Sequence, residues 1–172
     1  MPDQRDSAAQ MEVSEADPEP EPIRAIDVLV EDRGWVLFGD LDGLVVAVVD
    51  TLAAHDPRVG GAGVSFVLSN DAVVREMNRT WRGQDKPTDV LSLPFEPPVG
   101  MPDAEPYLGD VVLALETVDR EAADLGISGA HHLQHLVLHG LLHLLGFDHE
   151  TAAEAQRMEW LETKLLAGLG IA

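Results

Sequence analysis

Three histidines near the C-terminus have the spacing of a metal site. They lie in the run His139-Gly140-Leu141-Leu142-His143-Leu144-Leu145-Gly146-Phe147-Asp148-His149. On a helix, residues four apart sit one turn above each other on one face, so His139 and His143 can grip a single ion. Gly146 can take the left-handed backbone that ends a helix, and the chain can then turn back to bring His149 in as a third ligand. Three neutral imidazoles with an open fourth position describe a catalytic zinc site, with Zn–N bonds of about 2.0–2.1 Å. Nickel, cobalt or copper would also bind such a set. A lone histidine on an apolar face is ordinarily a satisfied core residue. Three at helix-plus-turn spacing, with a glycine at the bend, predict a ligand set instead.

Six of the seven histidines fall between positions 131 and 149. His131, His135, His139 and His143 recur every four residues, but each step drifts by about 40° at 3.6 residues per turn, so one ion cannot hold all four. His135, one turn before the first ligand, is expected to face the site or to hold a ligand's second nitrogen, a contact that fixes tautomer and ring orientation. Asp148 reads two ways: it orients an imidazole or a bound water, or it is a turn residue bonded to its local backbone. His131 and His132 read as ordinary, partly exposed helix residues. Leucines and a valine surround the ligands on nearly all sides, the mark of a buried helix. The spacing is that of the metzincin metalloproteases, with one departure. There a Glu after the first His is the general base; here that position is Gly140, so the usual protease route lacks its base.

The anion-binding chemistry lies elsewhere, in the stretch from Met77 to Ser92. Arg75, Arg79, Arg82 and Lys86 are four of the eleven bases, within twelve residues, in a chain of formal charge −20. Arginine suits phosphate because its planar fork binds two oxygens at once. Arg75 and Arg79 read as solvated helix charges. Arg82 ends its helix before Gly83, where a side chain can project into a cleft.

The elements that must position these residues follow from periodicity and punctuation. Strands are expected at 26–30, 64–68, 89–95 and 110–115. Helices are expected at 41–54, from Ser69 or Asn70 to about Trp81, at 117–125, from a Ser128 cap to Leu145, and from a Thr151–Glu154 capping box to about Ala167. A proline-rich loop occupies 97–106. Strands and helices mix without regular alternation, which predicts an α+β domain with helices packed on the sheet. The chain of 172 residues suits one domain plus a tail. Residues 1–22 carry seven acids against Arg5 alone, a net −6, with four prolines and no aromatic residue. Such a segment buries little and is expected to be a disordered acidic tail, leaving 23–172 as the domain. The remaining 24 acids and ten bases still leave −14, which argues against non-specific nucleic-acid affinity and confines any RNA contact to a local basic patch. There is no cysteine, hence no disulfide or thiolate ligand. No apolar run reaches the ~20 residues of a membrane span, and no signal pattern opens the chain. The expectation is an intracellular, cytoplasmic protein.

Taken together, Asn78 through Ser92, Leu108-Gly109-Asp110 and His135 through His149 resemble the YbeY family of bacterial endoribonucleases, over roughly residues 25–170. The Pro87-Thr88-Asp89-Val90-Leu91-Ser92 segment and the His-Gly-x-x-His-x-x-Gly-x-Asp-His motif carry the likeness. The resemblance implies a central four-stranded mixed sheet, with one zinc ion held by His139, His143 and His149 on the long buried helix and the turn after it. It implies that Arg82 matches the family's functional arginine. It also implies cleavage of single-stranded RNA in ribosomal RNA maturation, at the 3′ end of the small-subunit rRNA, and in ribosome quality control. The implied partners are the small ribosomal subunit and its assembly factors. Water and the RNA's own 2′-hydroxyl both remain open as nucleophile. Two features depart from the family pattern: Leu93 stands where Phe is usual, and the acidic tail is extra. The rival readings are a metzincin-like metal-dependent protease or hydrolase, and a non-catalytic ribosome assembly factor.

Overall fold

The computed structural model describes residues 25–101 and 105–171. The expected tail lies outside the described residues. Four strands, β1 (Ile26–Val30), β2 (Gly63–Ser69), β3 (Val90–Pro94) and β4 (Tyr107–Ala114), form one sheet in the order β1-β2-β4-β3. The β1–β2 and β2–β4 pairs are parallel and β3–β4 is antiparallel, so the sheet is mixed, as expected.

Strand alternation divides the core in two. Val64, Phe66, Leu68, Val111 and Leu113 point to the larger side, which is covered by α1 (Leu41–His55), α5 (Gly129–Leu144) and α6 (Ala152–Gly168). Leu91, Val112 and Ala114 point to the other side, against Val74 of α3 (Asp71–Arg82). A strand covered on both faces need not alternate, which explains the unbroken apolar run Val111-Val112-Leu113-Ala114. Each fully buried leucine or valine contributes roughly 1.5–3 kcal/mol.

The helix ends follow their caps. Asn70 accepts from Val73 N, Ser128 accepts from His131 N, and Thr151 and Glu154 form the capping box. Where the elements depart from expectation, the local signal was absent or ambiguous. The stretch around Gly34, between the first expected strand and helix, is a 3-10 helix at Arg33–Phe38 whose Trp35 is buried. A one-turn helix, α2 (Pro57–Gly60), follows α1 and is capped by Asp56. Helix α4 (Leu115–Leu125) begins two residues early on Ala114, without any side-chain cap. Strand β4 begins at Tyr107, ahead of the expected start at 110, and its register with β2 slips between Gly63 and Ser65. Gly109 sits there at φ +136°, and a Cβ would lie 2.2 Å from the Leu93 carbonyl oxygen. Gly109 is an irregularity within the strand.

Helix α5 is pressed against the sheet at Gly140. Ser92 Oγ donates to the Gly140 carbonyl at 2.8 Å, and a Cβ on Gly140 would lie 2.6 Å from Val111 Cγ1. Gly140→Ala should therefore destabilise the fold. Overpacking costs about 1–3 kcal/mol, against a helix-propensity gain of about 1 kcal/mol. Urea unfolding should show a lower midpoint; an unchanged or higher one would mean that the helix lifts off the sheet freely.

Candidate metal centre

Helix α5 ends as its sequence suggests. Gly146 adopts φ +93°, Gly146 N donates to His143 O, and Phe147 N donates to Leu142 O, each at 3.0 Å. These two bonds form a Schellman motif. Phe147 packs on the core, and the chain doubles back so that His149 faces the helix. The ring centroids of His139 and His143 are 4.6 Å apart, and that of His149 lies 5.1 Å from His143 and 5.9 Å from His139.

One nitrogen from each of the three rings lies within 4.8 Å of the others, a group that can hold a metal ion. The Nε2 atoms of His139 and His143 are 3.0 Å apart. Bonds of about 2.0–2.1 Å at tetrahedral angles place ligand nitrogens roughly 3.3 Å apart, so these two rings already stand near ligand spacing. Burial, then the neighbouring His139 and His149, hold the His143 pKa below its ordinary value. At neutral pH this ring keeps the lone pair that a metal needs.

Behind the imidazoles stands a residue that the sequence reading missed. Glu162 Oε1 lies 2.5 Å from His139 Nδ1, and its other oxygen lies 3.5 Å from His135 Nε2. Burial alone would raise the Glu162 pKa; hydrogen bonds to His135 and His139 outweigh it and hold the value at about 2. The carboxylate is thus ionised at neutral pH. Its contribution to stability is complete above about pH 4.5, the ordinary value, and is lost as the pH falls toward 2. An ionised carboxylate on Nδ1 fixes the tautomer that leaves Nε2 free for a metal. His135 therefore lies outside the group of three converging rings; it steadies the carboxylate that steadies one of them. The signal for Glu162 was present. Met158, Leu161, Leu165 and Leu166 mark the buried stripe of α6, and Glu162 lies within it at 9% exposure. An acid in an apolar stripe needs a partner. Glu162→Gln should weaken metal binding by about 10–100-fold while the fold persists. Metal affinity equal to the parent's in a competition assay with a chelating dye would remove Glu162 from the site.

The other residues fall as follows. Asp148 Oδ1 accepts from the His149 backbone N at 2.7 Å, the local turn bond that was one of its two readings. His132, expected to be partly exposed, is 4% exposed with Nε2 2.8 Å from Glu121, because its face of α5 turns toward α4. Arg75 and Arg79 are exposed and paired with Asp85 and Glu76. Arg82 has no ion pair among the described residues. Gly83 takes the left-handed conformation after it, and Arg82 lines the same cleft of about 690 Å³ as His139, His143 and His149. Thr88, Asp89, Ser92, Asp148 and Glu150 line that cleft as well. Gly140 faces the sheet rather than the cleft, so the position of the metzincin base is filled by Val111.

Fold and site define a class: an α+β domain in which one polar cleft joins three converging imidazoles, able to hold a metal ion, to an arginine with no ion pair among the described residues. Residues 38–170 match the family described as endoribonuclease YbeY, and the chain belongs to that family. A protein named endoribonuclease YbeY from Azorhizobium caulinodans is 50% identical over 149 residues, covering 85% of this chain and 92% of the relative. Another of that name from Rhodopseudomonas palustris is 45% identical over 150 residues, covering 86% and 87%. The solution structure of TM1509 from Thermotoga maritima superimposes with a TM-score of 0.54 at 27% identity, covering 82% of this chain and 86% of that one.

Proposed function

We propose that the protein is a metal-dependent endoribonuclease that cleaves single-stranded RNA, with one zinc ion held by His139, His143 and His149 and the phosphate bound by Arg82. One observation carries the reading: three imidazoles and an arginine without an ion pair line one cleft, in a chain of the endoribonuclease YbeY family. When bound, the metal supplies Lewis acidity to a phosphoryl oxygen or to water. The chain's own residues do the rest. Glu162 orients His139, and His143 stays neutral. The Arg82 fork binds two phosphate oxygens and balances charge that develops on them. Asp148 shapes the turn that presents His149.

Family membership extends the reading to ribosomal RNA. The substrate is the 3′ end of the small-subunit rRNA during late maturation and quality control, the partners are the small ribosomal subunit and its assembly factors, and the place of action is the cytoplasm. Among the described residues no helix is long and apolar enough to cross a membrane. Residues 23–172 form the catalytic domain and residues 1–22 an acidic tail that folding does not need. Deleting the tail should leave Tm nearly unchanged; a drop of many degrees would place it on the domain.

The test is to incubate the zinc-loaded protein with single-stranded RNA, a duplex of the same sequence and casein. Only the single strand should be cut, and a chelator should stop the cutting. Intact single strands, or degraded casein, would overturn the reading.

A further inference from the structure

A second cavity, of about 450 Å³, adjoins the metal cleft. Arg82, Thr88 and Asp89 line both. The remaining wall of the second cavity comes from Asn78 on α3, Gln84 and Lys86 in the turn after it, and Thr117, Arg120 and Glu121 on α4.

Two independent features mark this cavity. The first is charge. Three cations line it, Arg82, Lys86 and Arg120, and none has an ion pair among the described residues. Arg120 gives only a 3.3 Å hydrogen bond to Thr117. The two acids in the wall are both engaged by the protein: Asp89 accepts from Val90 N at 2.7 Å, and Glu121 holds His132 at 2.8 Å. In a chain of charge −20, three cations against two acids around one hollow give a local positive balance. The second feature is an orphaned polar atom. Asn78 is 2% exposed, and its Nδ2 donates to the Lys86 carbonyl at 2.8 Å, while its Oδ1 is buried without a partner. Buried acceptors are nearly always paired, so an unpaired one in a cavity wall asks for a donor from outside the chain.

We propose that this cavity is a nucleotide subsite, which seats the RNA residue next to the phosphate being cleaved. Lys86 and Arg120 hold the phosphate of that nucleotide, and Asn78 supplies an acceptor to a donor on its base or sugar. The inference rests on the endoribonuclease reading and specifies its substrate. A nucleotide seated here is splayed out of its stack, as single strands permit and duplexes resist, so the subsite accounts for single-strand preference. The volume falls within the range of small-ligand pockets, about 300–1,000 Å³.

The test compares steady-state cleavage of a fluorescent single-stranded 12-mer RNA by the full-length zinc-loaded protein and by its Lys86→Ala/Arg120→Ala variant, at several salt concentrations. Both side chains are exposed, so the variant should fold. KM should rise about tenfold or more, with a much smaller change in kcat. The slope of log(kcat/KM) against log salt should flatten by about 1.4, at about 0.7 per single-strand phosphate contact for two contacts. Lys164→Ala, which removes a cation beside Trp160 on α6, is the control for net charge and should change neither quantity. If the parent cleaves the RNA while the double variant keeps the parental KM and slope, or loses only kcat, or is matched by Lys164→Ala, the subsite is refuted and the endoribonuclease reading stands. If the parent does not cleave single-stranded RNA at all, that reading falls and takes the subsite with it.

Discussion

Replacing His143 by alanine is expected to yield a folded protein without stoichiometric zinc and with RNA cleavage reduced on the order of a thousandfold, the several kcal/mol of transition-state stabilisation that a metal supplies. The fold should survive for a local reason. His143 is half-buried in the last turn of α5, its partners are the other two rings, and alanine is the better helix former. The metal should not survive. Two imidazoles remain, and a structural zinc site ordinarily needs four ligands, a catalytic one three. Metal analysis after dialysis, with circular dichroism on the same sample, reads both halves of the prediction. Full zinc in the folded variant would mean that the ion sits elsewhere. Persistent cleavage in a zinc-free variant would mean that the chemistry does not need it.

The second large effect belongs to Arg82. Arg82→Glu should lower cleavage of single-stranded RNA by about 10²–10³-fold, the scale of losing one charge-stabilising donor, while zinc content and Tm stay at parental levels. The side chain is exposed and makes no ion pair among the described residues, so the substitution breaks none. Arg82→Lys should keep part of the activity, since the charge remains and the two-pronged fork is lost. Arg75→Glu is the comparison that separates a contact from a field. It reverses a charge seven residues away on the same helix, where the native arginine pairs with Asp85, and should act only weakly through the long-range potential. Equal effects of the two reversals, or an Arg82→Glu protein as fast as the parent, would remove Arg82 from phosphate binding.

The comparison of Arg75, Arg79 and Arg82 shows how far a sequence reading of charge can go. All three lie in one short helix; the residues themselves set Arg82 apart because a glycine follows it, and the resemblance to the YbeY family pointed to the same arginine. That glycine does adopt the left-handed conformation, and the other two arginines are held by acids. The nearby Glu162 shows the opposite case. Its position in an apolar stripe was visible, but its partner lies 23 residues away on another helix, and no spacing within α6 names it.

The sequence by itself determined the local geometry. The 3.6-residue period put His139 and His143 on one face, Gly146 ended the helix in the conformation only glycine takes readily, and the caps at Asn70, Ser128 and Thr151 set where helices begin. These are interactions between residues a few positions apart, so a few positions suffice to read them. The tertiary structure decided what meets across the fold: Glu162 behind His139, Arg82 in the cleft of the three histidines, α5 seated so close to Val111 that residue 140 must be glycine, and a second cavity between α3 and α4. Those meetings depend on how the helices pack against the two faces of the sheet, which is set by side chains distant in the chain and by the volume they must fill.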